Sequence, residues 1–272
     1  MGVISLLQRW IIMSLTRPMF SEDMPFWTNI RVFRFCIPWV VKITPRTTST
    51  EAEALRFLHS TGLDLPIPRL VFSFAHEEMT YTVMTRVSGI SMDEAMRDEK
   101  INSDDFDTIV SEIEVVMNEL EYLRQPPNEA GNVMMSASGH GMPDGAYFFE
   151  KRSGPFPSTI ALWAHHAGHP DEDSLRKSIE PATLEALTAD PVRFMHTDLR
   201  MHNIIVRNGH LSGIIDWEDS GWVPSCWQLW VMRRARVGCW GRWRDHWVEH
   251  RFSDEAEAAY LAAKSFIEKL PV

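Results

Sequence analysis

Cysteine is scarce in this chain: three of 272 residues, Cys36, Cys226 and Cys239. An odd number without metal-ligand spacing argues against a disulfide framework and predicts reduced thiols in a cytoplasmic protein. Glycine is nearly absent from the start, with Gly2 the only one before Gly62, so no glycine-rich loop stands there to wrap an anion in backbone amides. Long apolar runs are missing too. The opening VISLLQRWIIMSL is broken by Gln8-Arg9, is too short to span a bilayer, and is followed by no small-residue cleavage site, which predicts an amphipathic helix and no membrane partner. There is no surplus of basic residues. A net charge of -10 and a pI near 5.6 exclude a general nucleic-acid surface. His165, His166 and His169 have no cysteine beside them and read as a solvated helix end and not as zinc ligands. What remains is the composition of an ordinary globular protein, 44% hydrophobic and 24% charged, long enough for one large domain or two smaller ones.

The stretch FMHTDLRMHNIIVRNGHLSGIIDWEDSGW, residues 194 to 222, organises the rest. Ile204 to Val206 and Leu211 to Ile215 are β-branched runs about Asn208-Gly209, the signature of a tight hairpin. His196, Asp198 and Asn203 precede the first strand, and Asp216 follows the second. The hairpin therefore gathers Asp198, Asn203 and Asp216 at one edge of a sheet. Phosphoryl transfer needs a carboxylate to take or orient the attacking hydroxyl, a role that suits Asp198, and hard oxygen ligands for magnesium, which suits Asn203 and Asp216. The spacing His-x-Asp-Leu-x-x-x-Asn, with an Asp thirteen residues later, is the catalytic-loop pattern of protein kinases. Here that Asp begins Asp-Trp-Glu instead of Asp-Phe-Gly.

A matching pair stands upstream. Arg31 to Ile43 is rich in β-branched and aromatic residues, with Pro38 marking an edge or break. In its last strand Trp39, Val41 and Ile43 share one side, and Val40 and Lys42 the other. Thr48, Ser49 or Thr50 can cap a helix from Glu51 to about Thr61, stopped by Gly62. Glu51, Leu55 and Leu58 share its buried face, whereas Glu53 is expected in solvent. A strand lysine that holds phosphates and a helix glutamate that positions it are kinase features, and Lys42 and Glu51 fit them.

The strings HTDLRMHN and GIIDWEDSGWVPSCWQ, together with VVKI, EAEALRFL and LPIPRLV in that order, resemble the aminoglycoside phosphotransferase and choline kinase-like family, and look closest to its fungal members. The resemblance runs over roughly residues 38 to 235. It implies an α+β, protein kinase-like two-lobe fold, with a small, shortened antiparallel sheet over residues 1–88 and a mostly helical lobe over 89–272. It further implies that ATP and magnesium are bound, that backbone groups at the end of a second strand, about Thr85 to Val87, receive adenine, and that the acceptor is a small-molecule hydroxyl. Asp198 would orient that hydroxyl, with His196 as a brace in the catalytic loop. Gln228 stands where fungal members often carry Glu.

Elsewhere, Met19 to Trp27 reads as a loop. Leu70 to Phe74 and Met79 to Val87 read as a hairpin about His76-Glu77-Glu78, with a boundary at Ser88-Gly89. Ser91 to Met96 and Asp104 to Leu123 follow as helices, the second with an apolar face of Phe106, Ile109, Ile113 and Leu120. Pro126 to Gly145 is a long loop, Asp171 to Leu187 a helix pair broken near Pro181, and Gln228 to Val237 and Asp254 to Leu270 are closing helices. Trp217, Trp222, Trp227, Trp230, Trp240, Trp243 and Trp247 either fill the core of the second lobe or, for Trp222, Trp227 and Trp230, line an acceptor pocket. Two readings of function stay open: an ATP-dependent phosphotransferase, and a kinase-like binding or regulatory protein whose shortened, glycine-poor first lobe no longer uses ATP efficiently.

Overall fold

The structure is a computed structural model that describes residues 3–19, 30–143, 152–234 and 241–267. Most of the loop expected over Met19 to Trp27 lies outside the described residues, as do Cys239, Trp240, the end of the 126–145 loop and the last turns expected for the two closing helices.

An antiparallel sheet of five strands forms the first part. Its strands are β1 (Thr16–Pro18), β2 (Ile30–Phe33), β3 (Trp39–Thr44), β4 (Leu70–His76) and β5 (Met79–Thr85), in the order β1-β2-β3-β5-β4. The first two strands are only three and four residues long, so the sheet is short at one edge. Helix α1 (Val3–Leu15) lies on one face, where Ile12 packs with Val41, Tyr81 and Val83. Its outer side leaves Ile4 and Trp10 74% and 66% exposed. Alternation along β3 sends Val41 to that face and Val40 to the other.

Helix α2 (Glu51–Ser60) packs under the other face of the sheet. Thr50 is the cap: its hydroxyl accepts from the Glu53 N–H, and the Glu53 carboxylate accepts from the Thr50 N–H. Glu53, expected in solvent, is half-buried because it closes this box and accepts a hydrogen bond from Ser138 at 3.2 Å. Gly62, at φ +77°, ends the helix as expected.

The remainder is mostly helical: α3 (Met92–Arg97), α4 (Ser103–Leu120), α5 (Thr159–Ala167), α6 (Glu172–Ser178), α7 (Pro181–Ala189), α8 (Ser225–Arg234), α9 (Gly241–Glu249) and α10 (Asp254–Ile267). Short strands run between them: β6 (Ile90–Ser91), β7 (Met135–Ser136), β8 (Met142–Pro143), β9 (Arg152–Ser153), β10 (Val192–Met195), β11 (Ile204–Arg207), β12 (His210–Ile214) and β13 (Gly221–Pro224). β11 and β12 form the expected hairpin, and Asn208 and Gly209 at its tip have φ +53° and +78°, as a type I′ turn requires. The core runs through both parts without a break: Leu55, Leu58 and Met84 join Phe106, Ile113, Phe194, Ile214 and Trp222 in one cluster. Phe57 of α2 packs its ring 4.8 Å from Phe194 and 6.1 Å from Trp222.

The tryptophans described from Trp217 onward are core. Trp217, Trp222, Trp243 and Trp247 are 2% exposed or less, and Trp227 and Trp230 pack in a second cluster against Trp163. The reading of Trp222, Trp227 and Trp230 as pocket walls is therefore corrected: each ring faces other apolar side chains, where burying large aromatic area stabilises most.

Two features of this scaffold are open to direct measurement. Gly89, at φ +134°, passes so close to β11 that an added Cβ would lie 2.3 Å from the Val206 carbonyl oxygen. Gly89→Ala is expected to destabilise the protein by about 2 kcal/mol or more in urea unfolding, because both strain and a backbone clash oppose it; a change within about 0.5 kcal/mol would contradict this contact. Asp190, 3% exposed, accepts the N–H of Cys226 in the first turn of α8, and burial raises its carboxyl from an ordinary 3.8 to about 6. The folded chain thus holds that proton more tightly than the unfolded chain. Stability is then lost as pH rises through this window, by about 3 kcal/mol in all, and levels off above it. Asp190→Asn should remove that slope when melting temperature is followed against pH, and parallel curves for the two proteins would contradict the assignment.

Candidate active site

β3 carries Lys42, paired with Ile30 on one side and Thr82 on the other, and its side chain is only 10% exposed. Burying an ammonium costs several kcal/mol unless charges of opposite sign meet it. Three do. Glu51, the first residue of α2 and 1% exposed, lies 3.2 Å from Lys42 Nζ. Asp216 lies at 2.5 Å and Glu218 at 3.2 Å. Burial alone pulls the Lys42 ammonium down, but Asp216, Glu51 and Glu218 outweigh it and hold the group well above its ordinary range.

Asp216 stands two residues past the end of β12, in the left-handed conformation at φ +65°, and opens a single turn over Trp217–Asp219. That turn is held from two sides: Glu51 Oε1 accepts the Trp217 N–H at 3.3 Å, and the Trp217 indole donates to the Ile214 carbonyl at 2.8 Å. Burial works against the Asp216 charge, yet Lys42 beside it keeps its pKa below the ordinary carboxylate value. At 37% side-chain exposure it is also the open side of the cluster. Glu218, deeper at 15%, is pushed by burial up to about 7. Asp219 pairs closely with Arg46, which also approaches Glu218 at 3.8 Å. Glu51, Asp216, Glu218 and Asp219 thus face two cations, Lys42 and Arg46, and the site carries more negative than positive charge.

His196, Asp198 and Asn203 sit next to this cluster. His196, 2% exposed, spends both ring nitrogens on the backbone: Nε2 donates to the Ile215 carbonyl at 2.9 Å, and Nδ1 accepts the Asp198 N–H at 3.3 Å. One neutral tautomer satisfies both bonds. The ring stands edge-on to Trp217 at 4.7 Å. His196 therefore ties two backbone segments together and has no nitrogen to spare for a substrate. Asp198 receives Arg200 at 2.8 Å on Oδ1 and the Asn203 amide at 3.1 Å on Oδ2. Burial lifts its carboxyl above the ordinary value, against the pull of the Arg200 guanidinium.

Asn203 uses its Nδ2 for the Asp198 carbonyl and carboxylate, which turns its amide oxygen away from them. Its own carbonyl accepts the N–H of Ile215, the residue before Asp216, at 2.9 Å. A carboxylate and an amide oxygen tied together in this way are hard oxygen donors of the kind magnesium takes, and the local surplus of negative charge suits a divalent cation. The donor set therefore fits the ion that the sequence implied.

Gln228 explains itself here. Buried at 2%, it accepts the Thr197 N–H at 3.2 Å, steadying a residue in the left-handed region at φ +55°. Thr197 in turn donates its hydroxyl to the Asp219 carbonyl at 2.5 Å. An amide does this work without burying a further charge.

Thr85 ends β5, and its N–H donates to the Arg69 carbonyl at 2.9 Å, so that donor is already engaged. Val87 lies two residues on, its side chain beside Gly213 of β12. Sequence reasoning had missed Glu218, Arg46, Asp219 and Arg200. The acidic run Asp-Trp-Glu-Asp was the available signal for the first and third, because a single turn after Asp216 brings both back to the cluster. A cavity of about 80 Å³ reaches His196, Trp217 and Gln228 from behind, but its walls include neither Asp198, Asp216 nor Lys42.

A sequence profile of the phosphotransferase enzyme family matches residues 27–265. No curated protein sequence matches significantly. Several solved aminoglycoside phosphotransferases share the fold. A thermostable mutant of APH(4)-Ia, in ternary complex with ADP and hygromycin B, aligns with a TM-score of 0.59 at 13% identity over 97% of this chain and 91% of its own. APH(3'')-Id from Streptomyces rimosus, with ADP and streptomycin, gives 0.54 at 16% over 97% and 96%, and APH(2")-IIa with gentamicin gives 0.54 at 17% over 96% and 84%. The chain belongs to the phosphotransferase enzyme family and carries the protein kinase-like fold of the aminoglycoside phosphotransferases.

Proposed function

We propose that the protein transfers the γ-phosphoryl group of ATP to a hydroxyl of a small molecule. The observation that carries this reading is the meeting of Lys42, Glu51 and Asp216, from a strand, a helix and a loop up to 174 residues apart. No structural need asks for a lysine among three carboxylates; an apolar group would be as stable or more so. A site that must hold phosphates and a cation in turn does ask for it.

In this reading Lys42 binds the α and β phosphates and Glu51 keeps it in place. Backbone groups near Thr85 and Val87 receive the adenine; with the Thr85 N–H engaged, Val87 is the better donor. Asn203 and Asp216 hold magnesium, which when bound neutralises charge on the phosphates. Asp198 accepts a hydrogen bond from the acceptor hydroxyl and takes its proton as the new oxygen–phosphorus bond forms, while the bond to the β-phosphate oxygen breaks and ADP leaves. His196 and Gln228 hold the loop still. The two parts of the chain, 1–88 and 89–272, act as the two lobes between which the nucleotide lies. The solved relatives hold aminoglycosides, and the net charge of -10 attracts cationic molecules generally, so hydroxylated amines are the first acceptors to screen. A cytoplasmic site, where ATP and magnesium are supplied, goes with this chemistry.

One observation favours a second reading. No glycine lies between Gly2 and Gly62, so upstream of Lys42 the backbone amides that usually cover the phosphates have no glycine to let them approach. A binding or regulatory protein that keeps the lower part of the site would look like this.

Asp198→Asn separates the two. It is expected to lower phosphoryl transfer by about 10²–10⁴-fold, the usual contribution of a positioned base, with nucleotide affinity nearly unchanged. ADP release across an acceptor panel measures the first and calorimetry the second. A variant as fast as the parent would contradict the assignment of Asp198, and no acceptor-dependent ADP release from either protein would favour the regulatory reading.

A further inference from the structure

Away from the active site, α9 and α4 bring three metal-ligating groups to one point. His246 lies on α9, and His250 follows one turn later, its N–H still donating to the His246 carbonyl at 2.8 Å. An i, i+4 pair on a helical turn presents both rings on one side. Facing them is Glu114 of α4. His246 Nε2 lies 3.2 Å and His250 Nδ1 3.0 Å from the same carboxylate oxygen, Glu114 Oε1. All three donor atoms are within 4.8 Å of one another.

We propose that Glu114, His246 and His250 form a binding site for a zinc-like divalent transition ion that fastens α9 to α4. The spacing supports it. Ligands about 2.0–2.1 Å from a tetrahedral zinc are about 3.3 Å apart, close to the two nitrogen-to-oxygen distances seen. The donor set selects the ion: two imidazoles and one carboxylate suit zinc and its neighbours, whereas magnesium and calcium want oxygen alone. The rings are pre-set by packing. His246 stands edge-on to Trp247 at 4.7 Å and His250 to Phe252 at 4.8 Å, and Trp243 and Trp247 are fully buried and anchor α9. Each of the three side chains is a quarter to a third exposed, so an ion can enter from solvent and keep water as its fourth ligand. Among the described residues no other such group is found, and His165, His166 and His169, though adjacent in sequence, do not form one.

The test is calorimetric titration of the full chain, stripped with a chelator, with zinc chloride, and with cobalt chloride followed by visible absorption. The expected result is a saturable zinc site separate from the Asn203 and Asp216 oxygens, cobalt bands of tetrahedral intensity, and a melting temperature raised by zinc. Glu114→Gln and His250→Ala should each weaken zinc binding about tenfold or more, while Asp216→Ala leaves the site in place. Circular dichroism of the two ligand variants establishes that they fold, and Glu114→Gln, nearly isosteric, keeps the test available should His250→Ala not fold. Zinc affinity unchanged in both ligand variants, or no zinc binding by the parent protein, would overturn the proposal and leave Glu114 as an ordinary ion-pair partner of two histidines.

Discussion

The charge of Lys42 is the constraint on which the rest depends. It is 10% exposed, among Glu51, Asp216 and Glu218, in a place where an isolated ammonium would not be tolerated. Removing one partner from a buried ion cluster commonly costs about 3–5 kcal/mol, so β3, α2 and the turn after β12 are bound to one another by electrostatics as well as by packing. The capping box at Thr50 fixes where α2 starts, and so where Glu51 stands. The Glu51 bond to the Trp217 N–H carries that position on to Asp216. Four carboxylates against Lys42 and Arg46 leave the cluster short of positive charge, which a divalent cation would relieve. Structure and chemistry share one imbalance.

The loop from His196 to Asn203 is steadied by a separate set of contacts, nearly all to backbone. His196, Thr197, Asn203 and Gln228 are each 9% exposed or less, and between them they satisfy the N–H groups of Asp198 and Thr197 and the carbonyls of Asp198, Ile215 and Asp219. Buried polar groups are expensive unless paired, and here the pairing also fixes Asp198 against Asn203. Rigidity of this kind is what the proposed role of Asp198 as a positioned base requires.

Much of this was legible in the sequence. The Asn-Gly turn fixed the β11–β12 hairpin, alternation along β3 separated Lys42 from Val41, and helical spacing put Glu51 beside Leu55 and Leu58. These are local rules with periods of two and 3.6 residues. What escaped was non-local or ambiguous. Residues 16–18 are too few to show a strand pattern, yet they give the sheet its fifth strand. Glu53 reads as a surface residue until Ser138, 85 positions away, meets it. The tryptophans carry no mark of what they face, and only the fold shows that they face one another. Glu114 and His246, 132 positions apart, offer no sequence signal at all.

Calorimetric titration of the folded chain with ATP, with and without magnesium, tests the central claim most directly, because the Lys42 cluster and the Asn203 and Asp216 oxygens are assigned to one metal-bound nucleotide. Saturable binding in the micromolar to millimolar range that depends on magnesium is the predicted result. No detectable binding, or equal binding with and without magnesium, would contradict it.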